Sequence, residues 1–247
     1  LGTIDEMKTV IRELHKNDMN WLQDIVPNHM AFHTDNHRLM DVLERGPHSP
    51  YYLYFDIDWN HPSPDLSGKV MVPFLGSELD ACLANGEIKL DFTAQGFQVK
   101  YFDTPYPVSI SAYTVMQSLL PNAAAGIVNI LGKMAAAADG ADYETWKSSR
   151  MEFIEAIRQD PALLADLEKD LEVLNQDPAG LIKFLDAQHY RLAYWKETDK
   201  KINYRRFFTV NELICLRMED EKVFEEYHTY LSKLFREKLL MGFRIDH

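Results

Sequence analysis

Apolar positions recur every three or four residues between Asp5 and Lys16, where Met7, Val10, Ile11 and Leu14 define one face of a helix. Thr3, with Glu6 three residues on, has the pattern of a capping box. After a turn at Asn17-Asp18 the chain reads as a strand near Trp21–Val26. The same order returns later. Glu219–Leu240 reads as a long helix with Val223, Tyr227, Leu231 and Leu234 turned inward, and Met241–Asp246 as a strand. Between these units the pattern changes repeatedly. Residues 30–60 have little periodicity and are rich in His, Asn, Asp, Pro and aromatics, with Ser49–Trp59 the densest run. Lys69–Phe74 predicts a strand and Ser77–Ala84 a helix, and Glu87–Phe92 with Phe97–Phe102 predicts a hairpin around Gln95-Gly96. From Ser109 the pattern turns helical, through the alanine-rich run Ala123–Ala138. Asp160-Pro161 and Asp177-Pro178 each put a capping residue before a helix-starting proline, and Leu164, Leu167, Leu171 and Leu174 form a core stripe.

Composition narrows the partners. The 247 residues carry 38 acidic against 26 basic side chains, a formal charge of -12. That balance repels nucleic-acid phosphate and anionic membrane and suits a neutral ligand. Two cysteines, Cys82 and Cys215, imply neither a disulfide framework nor a thiolate metal site, which fits a reducing, cytoplasmic setting. No leader peptide and no apolar run long enough for a bilayer is read in the chain.

Candidate chemistry gathers in two stretches, Asp24-Ile25-Val26-Pro27-Asn28-His29 and Gly242-Phe243-Arg244-Ile245-Asp246-His247. Strand alternation puts Arg244 and Asp246 on one face and Phe243 and Ile245 on the other. A cation two residues from a carboxylate favours its ionised form, whether in a catalytic site or in a structural ion pair. Two further dense runs are Gln188–Trp195 and Ile202–Asn211. They bring Arg among aromatics, which brace an insertion or contact a ligand. Histidines 29, 33 and 37 recur every four residues, but Pro27 just before them favours a loop over a metal-binding helix.

The two stretches resemble the first and second conserved regions of the alpha-amylase superfamily. The likeness is closer to the maltooligosyltrehalose synthases, through Asp24–Phe32, Asp41–Gly46, Ser49–Trp59, Gln188–Trp195, Ile202–Glu212 and Gly242–His247. The resemblance implies an α/β fold: part of a (β/α)8 TIM barrel, about strands three and four, with a large mixed, mainly helical insertion. Residues 1–30 would hold helix two and strand three, 31–215 the inserted subdomain, and 216–247 helix three and strand four. The chain would then be a fragment of a longer enzyme, since a whole barrel takes about 250 residues by itself.

The resemblance also implies a function. A (1→4)-α-D-glucan 1-α-D-glucosylmutase turns the reducing-end α-1,4 bond of a maltooligosaccharide into an α,α-1,1 linkage by retaining double displacement. Asp246 would be the nucleophile, held and kept charged by Arg244. His29 would bond the sugar, with Asn28 supporting it. Tyr190, Arg191, Trp195, Tyr204, Arg205 and His247 would bind substrate, and Asp24 would organise the strand. No cofactor, metal, nucleic acid or membrane is implied. The general acid and third carboxylate belong to later strands, so the fragment alone is expected to be inactive, and its open barrel edges are expected to favour self-association. Another retaining α-glucan hydrolase or transferase, and a non-catalytic carbohydrate-binding module, are the competing readings.

Overall fold

The computed structural model describes residues 2–120, 125–138 and 143–246. In chain order the elements are α1 (Ile4–Lys16), β1 (Leu22–Ile25), β2 (His29–Ala31), α2 (His37–Arg45), β3 (Val70–Leu75), α3 (Leu79–Ala84), β4 (Ile88–Thr93), β5 (Gly96–Tyr101) and β6 (Thr104–Pro107). There follow α4 (Ala112–Leu119), α5 (Ala125–Ala138), α6 (Tyr143–Gln159), α7 (Pro161–Asn175), α8 (Pro178–Asp186), β7 (Tyr190–Tyr194), β8 (Leu213–Cys215), α9 (Glu221–Arg236) and β9 (Gly242–Ile245). Ala123 and Ala124, read as the start of the alanine-rich helix, lie outside the described residues.

The chain divides into two compact units. The first gathers Leu1–Ala31, Leu53–Asp56 and Arg206–His247. Its helix-then-strand halves form as the hydrophobic pattern predicts. Thr3 and Glu6 close the capping box of α1 reciprocally, satisfying N–H groups that the first turn leaves without partners. β1 and β9 pair in parallel, with Leu22 opposite Gly242, Asp24 opposite Arg244 and Ile25 opposite Ile245. Ile11 of α1 buries with Leu234, Leu239 and Leu240, and Met7, Leu14, Trp21 and Phe243 pack around them. At α9, Val223 and Leu234 are buried as expected, while Tyr227 is half-buried and donates its hydroxyl to the Val26 carbonyl at 2.9 Å.

The same unit holds a sheet that periodicity did not predict. β2 pairs antiparallel with β8, His29 opposite Cys215 and Ala31 opposite Leu213. His29 therefore sits on a short strand and not on the loop expected for it. The short stretch Leu53–Asp56 joins this layer: Phe55 bridges to Leu216, and the Asp56 N–H donates to the Cys215 carbonyl at 2.9 Å.

The second unit gathers Phe32–Tyr52 and Ile57–Arg205. β3, buried along most of its length, pairs in parallel with β7. The register shifts between Val72 and Leu75, where Pro73 has no N–H to give the ladder. β4, β5 and β6 form an antiparallel meander, extending the predicted hairpin by one strand. Helices supply the rest of this core, in which Trp146, Tyr113, Phe97, Phe153 and Phe184 are fully buried. Asp160 and Asp177 accept N–H bonds from the first turns of α7 and α8, each with proline at the start, as read from the sequence. Of the leucine stripe, Leu167, Leu171 and Leu174 are buried. Among the described residues the result is a mixed α/β fold with separate parallel and antiparallel sheets and a large helical insertion, without a closed barrel.

Candidate active site

The parallel register of β1 and β9 brings five of the singled-out residues into the first unit. Asp24 stands directly across from Arg244, and the guanidinium bonds its carboxylate, Nη1 to Oδ2, at 3.0 Å. The partner the structure gives Arg244 is thus the neighbouring strand's Asp24, where strand alternation alone suggested Asp246. The reason is geometric: residues paired across a sheet point to the same face and lie closer than most neighbours along one strand. Asp246 follows the last paired residue and extends the ladder, its N–H donating to the Ile25 carbonyl at 3.0 Å. Its side chain is exposed.

His29 lies just past the end of β1. Its Nδ1 is 2.8 Å from the Asn28 amide oxygen, which can only accept. That contact occupies Nδ1 and leaves Nε2 as the ring nitrogen turned away from Asn28. Burial lowers the pKa of His29, and the negative charge of Asp246 works against that shift. Burial thus favours the neutral imidazole, which lies within electrostatic reach of an exposed carboxylate. The imidazole ring packs on Phe207, centroids 4.5 Å apart, and Phe207 meets Phe208 edge-on at 4.6 Å. Phe208 has a left-handed backbone (φ 51°) and is 80% exposed. Both aromatics belong to the dense run Ile202–Asn211, but nothing in the sequence places them beside His29. The signal available was an apolar pair inside an otherwise polar turn.

The remaining candidates belong to the second unit. Arg191 on β7 pairs through Nε with Asp65 at 3.0 Å and through Nη1 with Glu197 at 2.9 Å, and Lys201 bonds Asp65 at 2.6 Å. Burial pushes the Asp65 carboxyl up, but Lys201, the Ser63 hydroxyl and Arg191 outweigh it and hold the pKa at about 2. Trp195 is half exposed, with the Lys196 ammonium 5.3 Å from its ring centre. Tyr190 is buried, its hydroxyl donating to the Pro107 carbonyl at 2.9 Å, and Tyr204 is buried against Phe32. Arg205 is exposed. His247 lies outside the described residues. Among the described residues no group of three or more His, Cys, Asp or Glu side chains could hold a metal ion, and no helix is long and apolar enough to cross a membrane.

A helix-strand unit repeated with parallel pairing, and an Asn-His pair and an aspartate beyond its strand ends, are the features that relate the chain to the alpha-amylase superfamily of glycoside hydrolases. Within it the chain is related, at modest identity, to maltooligosyltrehalose synthases. It is 26% identical over 249 residues to a Mycobacterium tuberculosis protein assigned as a maltooligosyl trehalose synthase, a match covering 100% of this chain and 22% of that protein. Among solved structures it resembles a glycosyltrehalose synthase (29% identity, TM-score 0.61, 100% of this chain and 25% of the other). It also resembles a maltooligosyl trehalose synthase (27%, 0.62, 100% and 23%) and the maltooligosyltrehalose synthase of Arthrobacter ramosus (26%, 0.61, 100% and 23%). The chain thus spans about a quarter of the length of the relatives it matches. No family profile matches it.

Proposed function

We propose that this chain carries the nucleophile side of a glucan-rearranging active site, within an enzyme of the maltooligosyltrehalose synthase type. β1 and β9 are then the third and fourth strands of a (β/α)8 barrel. The observation that carries the reading is the convergence of Asn28, His29 and Asp246 just past the C-terminal ends of two paired parallel strands, where such barrels keep their chemistry. The names of the relatives supply the substrate class, a maltooligosaccharide.

In this reading the Asp246 carboxylate attacks the anomeric carbon of the penultimate glucosyl unit and forms a glycosyl ester. The bond to O4 of the reducing-end glucose breaks, and a carboxylic acid supplied elsewhere in the longer protein protonates that oxygen. The released glucose turns, and its anomeric hydroxyl attacks the ester carbon while the same acid group, now a base, takes the proton. Two inversions leave an α,α-1,1 bond. Nε2 of His29 hydrogen-bonds a hydroxyl of the sugar at the cleavage point, and Phe207 and Phe208 offer apolar faces to a pyranose ring. Arg244 acts through Asp24, holding the two strand ends in register.

The test is Asp246→Asn in the full-length enzyme, incubated with maltopentaose. The amide has nearly the shape of the carboxylate, so the circular dichroism spectrum is retained, but it cannot form the ester. Conversion to the non-reducing product should fall by about 10³-fold or more. Unchanged conversion would remove Asp246 from the chemistry. Shorter malto-oligomers as the main wild-type product would point to another retaining α-glucan enzyme.

A further inference from the structure

The turn between β5 and β6 consists of two residues, Phe102 and Asp103, between the paired Tyr101 and Thr104. Phe102 has φ 50° and is 62% exposed. The first central position of such a tight hairpin takes a left-handed backbone, which glycine adopts freely and a bulky side chain does not. A turn shaped for stability alone would carry glycine or asparagine there. Here the chain instead presents an aromatic ring to solvent and pins it. The Phe102 N–H donates to the Glu87 carbonyl at 2.9 Å, and the ring lies against Tyr101 with centroids 4.8 Å apart. Strained backbone that displays a functional side chain is a recurrent feature of binding sites.

The ring borders a surface cavity of about 440 Å³, lined also by Glu87, Lys89, Asp91, Lys100 and Asp103. Lys100 and Asp91 form an ion pair at 2.5 Å, which fixes two of these groups. Three carboxylates and two ammonium groups nearly cancel, so the cavity has no strong field for a free anion or cation. What it offers is one apolar face with acceptors and donors of both kinds around it. That combination fits a pyranose ring, whose C–H face stacks on an aromatic while its hydroxyls bridge charged side chains.

We propose that this cavity is an auxiliary binding site for a neutral pyranose chain, with Phe102 as its stacking platform. On the function given above, from which the choice of sugar is taken, the occupant is an α-1,4-linked glucan.

The left-handed turn makes the test discriminating, because stability and binding should move in opposite directions. Phe102→Gly relieves the backbone and removes the ring. Its Tm should equal or exceed the parent's, while in the full-length Asp246→Asn background, where the glucan is not turned over, the second of two maltoheptaose-binding steps in isothermal titration weakens at least tenfold. Phe102→Asn, a second residue suited to left-handed backbone, should behave alike, and Phe102→Trp should keep the affinity. Turnover of maltopentaose by the full-length enzyme should be unchanged in all three. Unchanged affinity in the glycine and asparagine variants overturns the proposal, and so does a fall in Tm in both, which would assign the ring to the fold. The two readings fail separately. If Asp246→Asn abolishes turnover but Phe102→Gly binds normally, only the auxiliary site is lost. If Phe102→Gly loses binding but the wild-type enzyme rearranges no glucan, only the catalytic assignment is lost.

Discussion

Single side chains in this protein do their work by filling positions that tolerate little else, and His189 is the clearest case. Its ring packs against Gly46, whose φ of 53° suits glycine and where a Cβ would come within 2.7 Å of the imidazole. The backbone N–H of His189 donates to the Ser109 hydroxyl at 2.8 Å. Burial, then the nearby cations His48 and Lys69, lower its pKa from 6.5 to about 4. The folded state therefore holds this proton more weakly than the unfolded chain does, and acid favours unfolding. The contribution is complete above about pH 6.5 and is lost progressively as pH falls toward 4, by up to about 3 kcal/mol. Asp65 does not confuse this window. Its depressed pKa makes its contribution fade only below the ordinary aspartate range, as pH falls through about 2. Urea unfolding at pH 7 and pH 4.5 should show wild type losing about 2–3 kcal/mol more than His189→Gln across that interval. Equal losses would mean that the imidazole is solvated in the folded state. The Asp24–Arg244 pair is a different matter. Both partners are more than half exposed, so its value lies in register and not in stability.

At the scale of elements, the helices were the legible part. Local signals write them: the capping box at Thr3 and Glu6, the Asp-Pro starts of α7 and α8, and the apolar faces of α1 and α9. The β1–β9 pair was legible through resemblance, since the two polar motifs resemble conserved regions at the ends of adjacent barrel strands. The β2–β8 and β3–β7 pairings were not read as pairs. β2 and β8 are three residues long, too short for a period to show, and partners of both pairs lie more than a hundred residues apart. α2 went unread because its His37, Arg38 and Asp41 look like loop polarity until Leu39, Val42 and Leu43 are seen to be buried together. The candidate site was legible to the extent that motif residues define it. Phe207 and Phe208 lie in the dense run Ile202–Asn211, but their place beside His29 is visible only where β2 carries His29 onto a neighbouring ring.

Asn203 shows how a single amide can stand in for part of a strand. It is buried, its Oδ1 accepts the Met71 N–H at 2.9 Å, and its Nδ2 donates to the carbonyls of Lys69 and Asp58 at 2.5 and 3.3 Å. These bonds satisfy the Lys69 carbonyl and Met71 N–H at the start of β3 and tie them to the Asp58 carbonyl of a separate stretch. Asn203→Ala should leave them buried without partners and cost about 2–4 kcal/mol in denaturant unfolding. Asn203→Asp keeps the acceptor but removes both donations and adds a buried charge, so it should be at least as damaging. A loss below about 0.5 kcal/mol in both would mean that water replaces the amide.

At the scale of the whole molecule, the first unit poses a problem of coverage. Parallel strands are found with both faces buried and with neighbours on either side. Here, among the described residues, β1 and β9 have only each other. Leu22 is 64% exposed and Ile245 58%, and Met241 and Val26 are also open to solvent. The buried cluster of Ile11, Leu234, Leu239 and Leu240 accounts for one side of the pair only. On the proposed function, further barrel strands cover the rest in the longer enzyme. Leu22 then has two different environments, and one substitution separates them. In the 247-residue chain Leu22→Lys touches an exposed side chain. It should change unfolding free energy by no more than about 0.5 kcal/mol. It should also reduce self-association and binding of the apolar dye ANS, because a lysine blunts an open edge. In the full-length enzyme the same lysine would be buried without a partner and should destabilise by about 3 kcal/mol or more. Equal, small effects in both would mean that nothing covers β1 in the longer protein, and the barrel placement of this unit would have to be abandoned.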